Sequence, residues 1–158
     1  MKKAILAMLL CVATLGAKAQ FEAGTKYVGA SLSGLGLSYG SNQRLNIGLQ
    51  ATAGYFIFDS WLLKANVGYT HTRATDDVSL GLGARYYFTQ NGIFAGAGAE
   101  YIHATPSSND IAIPVEIGYA FYLNRYITFE PSVYYKMSLN DFSGGSKVGL
   151  NIGLGFYF

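Results

Sequence analysis

The sequence predicts an all-β fold, a closed eight-stranded antiparallel up-and-down transmembrane barrel that follows a cleaved signal peptide. Three observations carry this prediction. The 158 residues include 20 glycines and 15% aromatics but only 13% charged residues, where an ordinary soluble domain has about 25%. Beyond the first twenty residues, no apolar run reaches the roughly 18 residues that a spanning helix needs. The rest of the chain divides at turn-forming residues into eight segments of similar length, most of which alternate with period two, as strands do. A chain short of charge and without a membrane helix satisfies its backbone in lipid by closing a sheet on itself.

Residues 1–19 read as the signal peptide and residues 20–158 as the barrel domain. Lys2 and Lys3 open the chain, residues 4–15 form an apolar core, and Ala17-Lys18-Ala19 is a small-x-small cleavage site. The sole cysteine, Cys11, lies inside that core behind Leu10, a poor setting for lipidation. The mature chain is therefore expected to hold no thiol, no disulfide and no cysteine metal site. Without Lys2, Lys3 and Lys18, the 11 basic residues become 8 against 9 acidic ones, a net charge of −1. Such a balance offers nothing to nucleic acid, and no motif for a cofactor appears.

The eight segments are 26–39, 44–56, 61–72, 78–88, 93–103, 111–123, 126–139 and 147–158. Each is near the ten or so residues that a tilted membrane strand requires. In the first, Val28, Ala30 and Leu32 share one parity but Leu35, Leu37 and Tyr39 the other, so a bulge near Gly34 is expected. In the second, Leu45, Ile47, Leu49, Ala51, Ala53 and Tyr55 oppose Asn46, Gly48, Gln50, Thr52 and Gly54. The third and fourth place Lys64 and Arg85 on the parity of small and polar residues, beside Gly81 and Gly83. The fifth is weak, because alanines and glycines fill both faces. The sixth contains Pro114. In the seventh, Ile127, Phe129, Val133, Tyr135, Met137 and Leu139 oppose Thr128, Glu130, Ser132, Tyr134, Lys136 and Ser138. The eighth is the clearest, with Val148, Leu150, Ile152, Leu154, Phe156 and Phe158 opposite Gly149, Asn151, Gly153, Gly155 and Tyr157.

Parity does not say which face points outward, and a soluble barrel would turn the leucines in. Yet a face meant for water should be rich in charge, and this one is rich in glycine. Eight strands enclose only enough space for side chains to fill, so small residues belong inside. The aromatics also collect at strand ends. Near the short turns lie Tyr55, Phe56, Phe58, Trp61, Tyr86, Phe88, Phe121, Tyr122, Tyr126, Phe156 and Phe158; toward the opposite ends lie Tyr39, Tyr69, Tyr101 and Tyr135. Two aromatic belts mark lipid–water interfaces. Counting from a periplasmic start, 58–60, 89–92 and 124–125 become periplasmic turns. The outer loops are 40–43, 73–77, 104–110 and 140–146, all short.

With its eight segments, two belts and terminal Gly153-Leu154-Gly155-Phe156-Tyr157-Phe158, the whole mature chain resembles the small eight-stranded outer-membrane barrels of the OmpA/OmpX type. The resemblance implies a monomer in the outer membrane of a Gram-negative bacterium, surrounded by outer-membrane lipid. It also implies that Phe158 is the signal read by the barrel-assembly machinery. Members of that family include structural proteins, adhesins and a few lipid-modifying enzymes, so the resemblance fixes no activity. The chain departs from the adhesins in its short outer loops, and it ends at the barrel without a periplasmic domain.

Six charges share the inward parity at mid-strand: Lys64, Arg85, Glu100, Glu116, Glu130 and Lys136. Three of each sign cancel, and a charge facing hydrocarbon costs several kcal/mol. A paired network that plugs the bore is preferred over a proton or ion path. His71 and His103 fall near outer strand ends on the lipid-facing parity, and His103 is followed by Thr105, Ser107 and Asp110. This loosely resembles lipid A-deacylating barrels, but a base-activated hydroxyl needs a carboxylate to orient the histidine, and none is evident for His103. The preferred function is therefore non-enzymatic, structural or surface-interacting. The alternatives are an outer-leaflet lipid-modifying enzyme built on His103 and a narrow pore for very small solutes.

Three structural expectations follow. The first and last strands pair. Pro114 and Pro131, lying within strands that have no free edge, each interrupt a ladder. Arg85 contacts at least one of Glu100, Glu116 and Glu130, with Lys64 as a second cation, because like charges on neighbouring strands must find counterions across the bore.

Overall fold

The computed structural model describes residues 21–33, 47–71, 76–88, 92–104, 108–140 and 146–158. Their elements are β1 (Lys26–Ser33), β2 (Ile47–Phe58), β3 (Trp61–His71), β4 (Asp76–Tyr87), β5 (Ile93–Ala104), β6 (Ser108–Tyr119), β7 (Phe121–Tyr122), β8 (Ile127–Ser138) and β9 (Lys147–Tyr157). Strands β1 to β6 pair antiparallel in sequence order, β7 carries β6 onward past Ala120, and both pair with β8, which pairs with β9. β1 pairs with β9 from Tyr27 opposite Tyr157 to Ser33 opposite Asn151. That pairing shuts the sheet into a closed eight-stranded barrel with no edge, as the sequence predicts.

Alternation assigns the two faces. Outward lie Val28, Leu49, Leu63, Val67, Leu80, Leu82, Ile117, Val133 and Leu154, all exposed at the barrel surface. Inward lie glycines, Asn66, Thr128, Ser132 and the charged residues. This is the reverse of a soluble barrel. An exterior of Leu, Ile and Val with a charged interior is stable only where the exterior meets hydrocarbon.

Two outer loops are shorter than the sequence suggests. β4 begins at Asp76 and β6 at Ser108, inside the predicted loops 73–77 and 104–110. Polar residues hid these extensions, which cross-strand side-chain bonds support. His71 Nδ1 lies 2.6 Å from Asp76 Oδ1, and Ser138 Oγ donates to Asp110 Oδ2 at 2.7 Å. β2 also runs on to Phe58, with a register shift between Phe56 and Phe58. The bulge predicted near Gly34 lies outside the described residues, as do the signal peptide and Tyr39.

Both prolines interrupt a ladder. On the β5–β6 side, pairing stops at Ala97 opposite Val115 and resumes at Glu100 opposite Ala112, which skips Pro114. Between β6 and β8, Gly118 opposite Ser132 is the last pair before Phe121 opposite Phe129, which skips Pro131. Across its other edge Pro131 stays in register with Ile152. Proline lacks the donor that a continuous ladder needs, so each interruption falls on one side of its strand.

The chain before β1 folds under one end of the barrel. Ser60 N donates to Phe21 O at 2.7 Å, Gly24 N to Phe56 O at 2.8 Å, and Ala23 N to Asp59 Oδ1 at 2.9 Å. These bonds hold Phe21 in the bore at the end where β2 turns into β3.

Candidate functional site

The interior is built in layers, and strand register sets each layer. Arg85 of β4 lies opposite Gly96 of β5, and Gly96 lies opposite Glu116 of β6. Because Gly96 has no side chain, Arg85 reaches over it. Its Nε donates to Glu116 Oε1 at 3.0 Å, and its Nη1 to Glu130 Oε2 at 2.7 Å. Lys64 of β3 pairs with the same Glu116, with Gly83 and Gly98 leaving the intervening strands bare. The planar guanidinium thus holds two carboxylates at once, each through a charge-assisted hydrogen bond, the stronger class of such bonds.

Glu130 is satisfied several times over. Besides Arg85 it accepts from Tyr27 OH at 2.9 Å, from Tyr157 OH at 2.7 Å and from Thr128 Oγ1 at 2.7 Å. Tyr87 OH lies 3.0 Å from Tyr157 OH and accepts from Arg85 Nη1 at 3.1 Å. The guanidinium also sits over the Phe94 ring, 4.0 Å from its centroid. Burying an ion without such partners would cost several kcal/mol. Here the donors offset that cost by filling the lone pairs of the carboxylate.

Nearer the far end, Lys136 of β8 bridges to Glu100 of β5 at 2.8 Å, passing the strand that carries Pro114. A polar cavity of about 60 Å³ borders both ion pairs, lined by Gln50, Lys64, Asn66, Glu116, Tyr134 and Asn151 among others. A second cavity of about 20 Å³ adjoins Arg85 and Glu130. Since one water needs about 10–15 Å³, these spaces hold a few waters and no larger solute.

Below Arg85 the bore closes on rings. Phe21 stacks on Tyr87 with centroids 4.1 Å apart, and Phe56, Tyr122 and Tyr157 each lie within 5.9 Å of Phe21. Phe21, Phe56, Leu62, Tyr87, Phe94 and Tyr157 are all buried. This floor corrects the belt assignment: Phe56 and Tyr122 point inward. Each shares its strand parity with the small residues, so alternation outweighs nearness to a turn.

The six inward charges therefore form one connected set of Arg85, Lys64, Glu116 and Glu130, and a separate pair, Lys136 with Glu100. The remaining described aromatics of the predicted belts lie outside. Tyr55, Phe58, Trp61, Phe88, Phe121, Tyr126, Phe156 and Phe158 ring the turn end, and Tyr86 is half-buried between Trp61 and Phe88. Tyr69 and Tyr101 are exposed toward the other end, where Tyr135 is half-buried.

The histidines are exposed at the far end, two strands apart. His103 Nδ1 lies 2.7 Å from Asn109 Oδ1, an amide and not a carboxylate. Thr105 and Ser107 lie outside the described residues. His71 has the carboxylate, Asp76, which also accepts from Tyr69 OH at 3.1 Å. That pairing depends on the β3–β4 register, which composition does not show. Among the described residues, no group of three or more His, Cys, Asp or Glu side chains could hold a metal ion.

Sequence reasoning placed Tyr157 on the inward parity but passed over Tyr27, Tyr87 and Phe94, although parity places these three beside Arg85 and Glu130 as well. Phe21 gave no such signal, since it precedes the first strand.

No protein-family model matches the chain, and no curated protein matches it by sequence. Solved structures do match. The N-terminal β-barrel domain of Pseudomonas aeruginosa OprF is similar at 16% identity, covering 86% of this chain and 98% of that one, with a TM-score of 0.69. Neisserial surface protein A is similar at 15% identity, covering 85% and 96%, with a TM-score of 0.61. A de novo designed transmembrane β-barrel is similar at 12% identity, covering 88% and 99%, with a TM-score of 0.57. The chain has the fold of the small eight-stranded outer-membrane barrels. A designed barrel among the matches underlines that this likeness is one of fold.

Proposed function

We propose that the chain is a non-enzymatic integral protein of the outer membrane of a Gram-negative bacterium, a sealed barrel with a structural or surface-interacting role. The observation that carries this reading is the double closure of the bore. The Arg85–Glu116–Glu130 layer fills it at mid-height, and the Phe21–Tyr87–Phe56 floor fills it at the turn end. Among the described residues, the cavities of about 60 and 20 Å³ beside these layers are sized for isolated waters, which supports a sealed bore.

On this reading residues 1–19 are removed on export, the turn end faces the periplasm, and Phe158 serves assembly. The barrel works as a monomer surrounded by lipid. Planar-bilayer recording of the refolded protein tests the proposal. The expected trace lacks discrete conductance steps under applied potential; reproducible steps would overturn the sealed barrel in favour of a narrow pore.

A further inference from the structure

Where the ladder opens at Pro131, the outer wall is indented. A groove of about 470 Å³ runs between β6, β8 and β9, lined by Ile117, Tyr119, Pro131, Val133, Leu150 and Ile152 among others. Its cause is local. Pro131 offers no N–H to β6, and pairing lapses from Gly118 opposite Ser132 to Phe121 opposite Phe129, while Ala120 bonds on its other side, its N–H donating to Gly92 O at 2.7 Å. With two rungs missing, the wall parts. Below the opening, the rings of Tyr119 and Phe121 pack 4.3 Å apart and bound it toward the turn end.

The lining is almost wholly apolar, and no charged side chain borders it. The volume falls within the roughly 300–1,000 Å³ of small-molecule sites, but the convergent donors and acceptors of such a site are missing. An unbranched hydrocarbon chain fits these terms. The groove is also continuous with the lipid-facing surface, since Ile117, Val133, Leu150 and Ile152 belong to the exposed apolar face.

We infer that this groove seats one acyl chain of a membrane phospholipid, held against the wall in preference to the lipid around the rest of the barrel. The inference rests on the lipid-facing exterior proposed above. The indentation brings side chains of β6, β8 and β9 around a chain, so it touches more of the wall than a chain lying on the convex surface elsewhere. Dispersion contacts add over the whole length of the chain, so the seated lipid exchanges more slowly than its neighbours.

Native mass spectrometry of the barrel, released from vesicles of palmitoyl-oleoyl phosphatidylcholine and phosphatidylglycerol, tests this. Val133→Trp fills the groove. Val67→Trp makes the same change on β3, across the barrel, at a position of similar exposure, 54% against 45%. Wild type and Val67→Trp should retain one phospholipid per barrel, and Val133→Trp should retain it about tenfold less. Leu150→Trp is a second filling variant should Val133→Trp fail to fold. Equal retention by all variants, or none by wild type, would overturn the groove assignment. Retention of a second barrel, lost in Val133→Trp, would overturn it in favour of a dimer contact. Insertion is followed separately through Trp61 emission. Failure of wild type to enter vesicles would overturn the lipid-facing exterior itself, whereas insertion with equal retention would overturn the groove alone.

Discussion

The guanidinium of Arg85 reaches Glu116 over the bare backbone of Gly96, with Nε 3.0 Å from Oε1. The glycine is part of the ion pair. A Cβ on Gly96 would lie 2.7 Å from Glu116 Oε1 and 3.2 Å from the carbonyl of Ala84. Gly153 shares the inward parity, but a Cβ there meets nothing closer than 3.4 Å.

Gly96→Ala should therefore destabilise the barrel by about 1–3 kcal/mol, the usual cost of forcing atoms into a packed interior. Gly153→Ala should stay within about 0.5 kcal/mol of wild type. Urea titration of both variants in the same lipid checks the contrast. Equal costs would mean that Glu116 moves freely and that Lys64 and Arg85 do not hold it.

Phe21 makes the floor depend on residues outside the sheet. Removing its ring in Phe21→Ala should cost about 3 kcal/mol, the lower end of the range for a buried phenylalanine, because residues 21–25 can readjust. The amide of Ser60, which donates to Phe21 O, should then exchange with deuterium much faster. Unchanged exchange at Ser60 would show that the backbone bonds alone hold the segment.

Much of this interior was legible in the sequence. Period-two alternation placed Lys64, Arg85, Glu100, Glu116, Glu130 and Lys136 on one face, and charge balance implied that they pair. The two prolines announced the ladder gaps through their missing donors. What stayed hidden needed register or tertiary context. Asp76 and Asp110 looked like loop residues because polarity ends a hydrophobic pattern before the ladder ends. Phe56 and Tyr122 looked like belt residues because they lie next to turns, although parity turned them inward. The partnership of His71 with Asp76 required the β3–β4 alignment, and Phe21 required the path of the chain before β1.

The geometry at His103 predicts no hydrolytic chemistry there. Expression of wild type, His103→Ala or His71→Ala should leave the mass of lipid A in the host membrane the same. His103 is oriented by the amide of Asn109, which cannot stabilise an imidazolium as a carboxylate would. A lipid A mass change that wild type produces and either variant abolishes would establish an enzyme.

The inward face of the barrel is the premise of the whole account, and Arg85 tests it most directly. A refolding titration in lipid should compare Arg85→Ala with Lys26→Ala, a change at an exposed position near the turn end. Arg85→Ala strands Glu116 and Glu130 with less than their counter-charge, and breaking a buried pair on one side typically costs about 3–5 kcal/mol. Lys26→Ala should remain within about 0.5 kcal/mol of wild type. If the two variants unfold at the same denaturant concentration, Arg85 does not hold the interior together, and the assignment of the charged face to the bore is wrong.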